Sequence, residues 1–180
     1  LLGRIEALLR RLLGELTTLT VSLGAVGHVR VDPSQLEQVV LNLITNARDS
    51  LVHGGRVELQ TKDVTFSAAD RAQIPDLSPG AYVSITVTDD RDGIPAAALP
   101  QIFEPFFTTR QGGTGLGLAT CYGIVKQSGG HIAVQSEPGQ GATFSVYLPR
   151  VAGVETEPQR VGAPGPGASG TERVLLVEDE

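Results

Sequence analysis

Between Asp32 and Gly55 the chain is written as one long amphipathic helix with both ends marked. Asp32 offers an acceptor to the unpaired N–H groups of a first turn. Pro33 suits the first helical position because its missing N–H would go unpaired anyway. From there Leu36, Val39, Val40, Leu43, Ile44, Ala47 and Leu51 recur at helical spacing to about Val52, and Gly54-Gly55 ends the run. A stripe this continuous must be covered by a sheet or by other helices. Beside it, Asn42, Asn46 and Asp49 are spaced by four and three residues, so their side chains share one edge of the helix. Taken alone, that edge is as compatible with a solvated helix face as with a site.

The segments around this helix mix helix and strand patterns without regular βαβ alternation. Leu1, Ile5, Leu8, Leu9, Leu12, Leu13 and Leu16 predict a helix ending near Gly14. Strand patterns follow over 16–23, over a short stretch at 28–31, and after the long helix over 56–64. The polar stretch 65–80 reads as a loop, and 82–88 as a strand running into an acidic turn. A short helix is expected over 95–102 and a helix over 116–127, closed by Gly129-Gly130. Strands at 131–136 and 142–148 are joined by a Glu-Pro-Gly-Gln-Gly turn. The expected class is α+β: a two-layer α/β sandwich with a mixed, mostly antiparallel sheet covered on one face by helices.

With 180 residues, 41% of them hydrophobic, the chain can form one compact domain with its own core, needing neither disulfides nor a structural metal. That domain is expected over 1–150. Residues 151–172, dominated by Gly, Pro, Ala and Glu, read as a flexible linker, and 173–180 as the start of something new. The formal net charge of -6, with no Lys/Arg run, argues against a nucleic-acid surface. The single cysteine, Cys121, cannot form an internal disulfide and reads as a small buried apolar residue in a reducing, cytoplasmic setting. No stretch approaches the roughly 18 apolar residues of a membrane span. A parent protein anchored through another region stays compatible with that, and the piece itself is expected to be a fragment.

Three further motifs follow the polar helix edge. Val87-Thr-Asp89-Asp-Arg91-Asp92-Gly93-Ile94 delivers an Asp from a strand into a tight turn, where a buried carboxylate can accept a hydrogen bond from an exocyclic amine. Ile102-Phe103-Glu-Pro-Phe106-Phe107-Thr108-Thr109-Arg110 places three of the five phenylalanines in a segment that otherwise reads as loop. Gly112-Gly113-Thr114-Gly115-Leu116-Gly117-Leu118 precedes a helix, where backbone N–H groups and the helix dipole favour phosphate. Each alone is weak. The P-loop and Rossmann patterns are absent.

In this order and spacing the four motifs resemble the N, G1, F and G2 boxes of histidine-kinase catalytic domains. That superfamily also holds DNA gyrase, a heat-shock chaperone and MutL, and its fold is the Bergerat-type ATP-binding fold. The wording is similar to the branch with nitrogen-regulation and PAS-linked sensor kinases. Ser136-Glu-Pro-Gly-Gln-Gly-Ala-Thr-Phe-Ser-Val-Tyr-Leu-Pro149 resembles the family's last hairpin, so the likeness spans roughly 16–149.

The resemblance implies ATP and Mg²⁺ as ligands. By it, Asn46 coordinates the Mg²⁺ that bridges the phosphates, and Asn46 and Asn42 occupy the catalytic positions. Asp89 reads the adenine amine, with Thr143 supporting that contact from the last hairpin. Gly113, Gly115 and Gly117, with the backbone around Thr114, Leu116 and Leu118, hold the phosphates. Asp49, Arg91, Gly93, Ile94 and Thr109 complete the nucleotide contacts, Arg110 offers a cation, and the segment from about Phe103 to Thr114 is the lid. In the superfamily's ATPases the residue four before the Mg-binding Asn is a water-activating Glu. Here it is Asn42, which cannot act as a general base, so transfer to a protein nucleophile is favoured over hydrolysis. The anti-sigma-factor kinases are close relatives, but the phenylalanine segment favours the histidine-kinase side.

The implied partners are a dimerisation domain carrying the acceptor histidine and a receiver domain or response regulator. His28, His53 and His131 lie in strand edges or turns and are assigned to structure or surface. The tail Val174-Leu-Leu-Val-Glu178-Asp179-Glu180 resembles the first strand and acidic pocket of a receiver, implying a hybrid kinase; an incidental acidic end is the alternative. The sequence departs from the family where Arg91 replaces the first Gly of the G1 box, and where the lid is shorter between Arg110 and Thr114. If position 91 needs positive φ or lets the nucleotide approach closely, Arg91 would strain the turn or crowd the base and weaken ATP binding. A degenerate nucleotide-binding module without kinase activity is therefore the alternative function.

Overall fold

Alternating apolar residues from five strands line up into rows across one sheet, and the helices lie where those rows point. The computed structural model describes residues 1–51, 53–72, 77–110 and 112–151. The strands are β1 (Thr17–Leu23), β2 (Gly55–Phe66), β3 (Gly80–Asp89), β4 (His131–Glu137) and β5 (Gly141–Pro149), in the order β1-β2-β3-β5-β4. β1 pairs parallel with β2, and the other pairs are antiparallel. One row runs Val21–Leu59–Val87–Phe144–Val134 through all five strands; the next runs Thr61–Ile85–Val146–Ile132. Because side chains alternate faces along a strand, this register gives the sheet one apolar face.

Against that face pack α1 (Leu2–Leu13), α2 (Pro33–Ser50) and α3 (Gly117–Gln127), in one continuous core. The α2 stripe is buried as its spacing requires, with Val40, Leu43 and Ile44 fully sequestered. The Asp32 carboxylate accepts hydrogen bonds from the Ser34 and Gln35 N–H groups at 2.8 and 3.1 Å, closing the helix start. From α1, Ile5, Leu9 and Leu13 enter the same core. The expected α+β sandwich is the fold observed. Among the described residues no helix is long and apolar enough to cross a membrane.

Three local expectations are corrected. The helix expected over 95–102 is only a single 3-10 turn, Leu99–Gln101. Pro100 supplies no N–H and disfavours α geometry at the residue before it. The strand expected over 28–31 is reduced to one bridge, Val29 with Arg150. Finally, β2 continues to Phe66 because β3 begins at Gly80 and pairs with it, and a 3-10 turn over Ala68–Ala72 breaks the expected loop. The linker and tail expected beyond residue 151 lie outside the described residues.

Leu9 is fully buried at the junction of α1 with the main core. Leu9→Ala is therefore expected to cost about 2–5 kcal/mol in urea unfolding. A loss near zero would mean that α1 is not an integral part of the domain.

Candidate functional site

The rows of the sheet place a carboxylate where the pattern calls for an apolar residue. After Ile85 and Val87, the next core-facing position of β3 is Asp89, paired with the fully buried Val57. Asp89 is 4% exposed. It accepts a long hydrogen bond from the Arg91 N–H at 3.4 Å, and the Ser50 hydroxyl and the Ala142 backbone also face it. Ser50 has one proton to share between Asp89 and the Ala47 carbonyl, which it approaches to 2.6 Å. Burial raises the Asp89 pKa above the ordinary value of 3.8, outweighing these hydrogen bonds and the Arg110 charge.

Ser50 stands between Asp89 and an open cleft of about 500 Å³, a volume typical of small-ligand pockets. Asn42, Thr45, Asn46, Asp49 and Ser50 form one wall. Their spacing is that of one helical edge, which the buried stripe of α2 turns toward the cleft. Besides Ser50, three of these residues are already engaged, Asp49 by the neighbouring Arg48 guanidinium at 2.7 Å. The Asn42 amide donates to the Gly117 carbonyl at 3.2 Å, tying α2 to the start of α3. The Arg110 guanidinium donates to the Asn46 side-chain oxygen at 3.3 Å and to its carbonyl at 3.0 Å, and stands 3.6 Å from Asp49. Asn46 and Asp49 thus present oxygen atoms to a cation. Among the described residues no group of three or more His, Cys, Asp or Glu could hold a metal by itself.

The facing wall is the turn Asp92-Gly93-Ile94-Pro95. Gly93 has φ 66°, and a Cβ there would run into the Glu137 carbonyl, so the turn fits against the β4–β5 hairpin only with glycine. Phe107, Thr108, Thr109 and Arg110 close the cleft with Gly113, Thr114, Gly115, Gly117 and Leu118. The Phe106 N–H donates to the Gly115 carbonyl at 2.9 Å, holding the phenylalanine segment against the glycine turn. Phe106 has φ 68°, an uncommon conformation for a side chain of its size, and its ring is 75% exposed. α3 begins at the cleft with no side-chain cap, so its first N–H groups remain available to a ligand.

The cleft brings together Asn42, Asn46, Asp49, Gly93, Ile94, Thr109, Arg110, Gly113, Thr114, Gly115, Gly117 and Leu118, with Asp89 buried behind Ser50. Three expected residues stand elsewhere. Thr143 pairs with Thr88, hydroxyl to hydroxyl at 3.1 Å, on the face of the sheet opposite Asp89. The hairpin reaches Asp89 through the backbone of Ala142 instead, because strand alternation turns neighbours to opposite faces. Arg91 does not have positive φ, so the strain expected of it is not present. Its half-exposed guanidinium lies 3.8 Å from Asp90, outside the cleft lining. Leu116 is outside the lining too, 42% exposed at the α3 N-cap. Of the residues not foreseen, Thr45 was legible in the helical spacing, three after Asn42. Ser50, four after Asn46, was legible in the same way, and Phe107 and Thr108 fall in the expected lid. Asp92 and Ile102 belong to the second and third motifs without an assigned role, and Pro95 enters through tertiary folding.

Comparison with known proteins shows the family and the fold. The profile of the "Histidine kinase-, DNA gyrase B-, and HSP90-like ATPase" family matches residues 31–152. The sensor kinase CckA of Brucella abortus is 42% identical over 190 aligned positions, covering 99% of this chain and 20% of its own length. The sensor histidine kinase ZraS of Escherichia coli K12 is 43% identical over 122 positions, covering 68% of this chain and 23% of its own. The chain thus spans about a fifth to a quarter of these curated relatives. Among solved structures, the mycobacterial sensor histidine kinase MprB aligns with a TM-score of 0.61 at 27% identity, covering 83% of this chain and 89% of that one. Full-length ShkA, solved in complex with AMPPNP, aligns at 0.60 and 26%, covering 81% and 30%.

Because its folded pKa is raised, Asp89 contributes stability fully only below its unfolded value, and that contribution is lost as pH rises through the folded value. At neutral pH the ionised carboxylate is a cost. Asp89→Asn is therefore expected to melt no lower than the unaltered chain at pH 7, with its advantage disappearing below about pH 4. A clear drop in melting temperature at pH 7 would contradict this.

Proposed function

The chain belongs to the histidine kinase-, DNA gyrase B- and HSP90-like ATPase family, and on that premise we propose that it is the ATP-binding catalytic domain of a sensor histidine kinase. In this reading it binds Mg-ATP and donates the γ-phosphoryl group to a histidine on a dimerisation domain, in two-component signal transduction. The observation that carries the proposal is that residues from all four sequence motifs meet at one cleft. Its supports are the sensor-kinase relatives and the AMPPNP complex of ShkA.

Each part of the cleft has a role in this proposal. Asp89 accepts a hydrogen bond from the adenine amine, a charge-assisted contact of about 1.5–3 kcal/mol. The glycine turn and the uncapped start of α3 receive the phosphates. Asn46 and Asp49 fit Mg²⁺, a hard ion held by few protein oxygens together with phosphate and water. The metal supplies charge neutralisation at the phosphates. Arg110, now donating to Asn46 and facing Asp49, is within reach of the same region. Asn42 spends its amide on Gly117 and has no basic group to activate water, so the cleft favours transfer over hydrolysis.

The acceptor is assigned to a separate dimerisation domain. His28 lies in a loop, His53 in the turn after α2 and His131 at the start of β4, and none is on a helix. Positioning carries most of phosphoryl-transfer catalysis, so this chain alone is expected to bind ATP without phosphorylating itself. The exposed Phe106, Leu116 and Tyr122 beside the cleft support a protein partner on that side. A receiver domain or response regulator would be the onward partner, and the CckA alignment, covering 99% of this chain, supports continuing the likeness through residues 151–172 and 173–180. The nucleotide-binding module without kinase activity rested on Arg91, which stands outside the cleft, and the kinase reading is preferred.

Calorimetric titration with ATP, with and without Mg²⁺ and with GTP as control, tests the proposal. Adenine-selective, Mg²⁺-dependent binding is expected, and no binding at millimolar ATP would refute it. Asn46→Ala should remove most of the Mg²⁺ dependence, while Asp89→Asn should lower ATP affinity about ten- to hundredfold. Phosphohistidine formed on this chain alone with Mg-ATP would contradict the assignment of the acceptor elsewhere.

A further inference from the structure

The turn that leads from the buried Asp89 to the cleft wall at Asp92, Gly93 and Ile94 is held from behind by the β4–β5 hairpin. Ser136, near the end of β4, is the side chain that makes the connection. Its hydroxyl accepts a hydrogen bond from the Ile94 N–H at 2.7 Å and donates one to the Gly141 carbonyl at 2.7 Å. A hydroxyl is suited to this because it donates and accepts at once. Two backbone fits complete the clasp. The Gly139 N–H donates to the Asp92 carbonyl at 2.8 Å, and a Cβ on Gly141 would run into the Asp89 carbonyl. Asp92, Gly93 and Ile94 line the cleft, and Asp89 sits at the other end of the same turn.

We propose that Ser136 is a positioning residue of the nucleotide pocket, setting the turn 89–94 at the distance from which adenine is distinguished from other bases. This rests on the reading of the cleft as an adenine-nucleotide site. Ser136 lines no part of the cleft and acts through Ile94. Without the hydroxyl, the Ile94 N–H and the Gly141 carbonyl both lose the bond to Ser136, and the Ile94 end of the turn loses its side-chain tie to the hairpin. An acceptor at Asp89 discriminates an amine from a carbonyl only while its distance and angle to the base are held.

The test is the ratio of ATP to GTP affinity, measured on the full chain as Ser136→Ala, as Ser136→Thr and unaltered. The Ala variant is expected to lose about tenfold in ATP affinity with little change for GTP. The Thr variant, which keeps the hydroxyl, should retain the preference. A purely structural role would lower stability and leave the ratio unmoved, so an unchanged ratio in the Ala variant overturns the inference while sparing the proposed function. Equal loss in the Ala and Thr variants also overturns it. Absence of ATP preference in the unaltered chain overturns the underlying reading, and this inference with it. Should the Ala variant fail to fold, hydrogen exchange at the Ile94 amide decides: protection in the unaltered chain and in Ser136→Thr supports the clasp, and exchange at a free-loop rate overturns it.

Discussion

Everything at the cleft depends on how α2 is rotated about its own axis, and burial of its apolar stripe sets that rotation. Val40, Leu43 and Ile44 are sequestered against the rows of the sheet, and turning the helix by one position would expose them. Full burial of such side chains contributes about 1.5–3 kcal/mol each, so the stripe outweighs any preference of the polar edge for water. Asn42, Thr45, Asn46 and Asp49 therefore face the cleft as a consequence of core packing. The same packing positions α3, since the Asn42 amide is bonded to its first carbonyl.

Charge in the cleft is arranged around that edge. Arg110 stands at Asn46 and Asp49, so the oxygen atoms suited to a metal ion already face a cation from the phenylalanine segment. A divalent ion arriving there with its phosphates would meet that guanidinium across a few ångströms, a repulsion partly offset by the phosphate charge. In the proposed reading, movement of Arg110 and loading of the site would be coupled. The segment carrying Arg110 is tied to the glycine turn through Phe106 and Gly115, and Phe106 holds an uncommon backbone conformation there. Such conformations persist where the surroundings over-determine them, commonly at ligand-binding segments.

Asp89 shows the opposite balance. Burial of a carboxylate at the end of an apolar row outweighs the hydrogen bonds it receives and pushes its pKa up. The position makes sense when the partner of the carboxylate comes from outside the chain, as an amine would. Stability and binding then diverge at one residue, in keeping with functional sites that depart from the rule governing their surroundings.

The sequence by itself determined the elements and the chemistry of the polar edge. Helix spacing, the Asp32-Pro33 start, strand alternation and the glycine turn are local signals, and local physics is enough to read them. Where the reading went wrong, long-range contacts decided. Pairing with β3 extended β2 to Phe66, and the 95–102 segment became a turn around Pro100. Thr143 was assigned to Asp89 from its place in a motif, yet strand alternation puts it on the other face, and the Ala142 backbone does the work. Arg91 looked obstructive in the string of letters, but its side chain leaves the cleft toward Asp90. The clasp of Ser136 on Ile94 joins residues 42 positions apart, and no local pattern announces such a pairing. Spacing along one helix or strand can be read from the order of residues. The face a side chain takes relative to another element is known only once the sheet register and the packing of the helices on it are set.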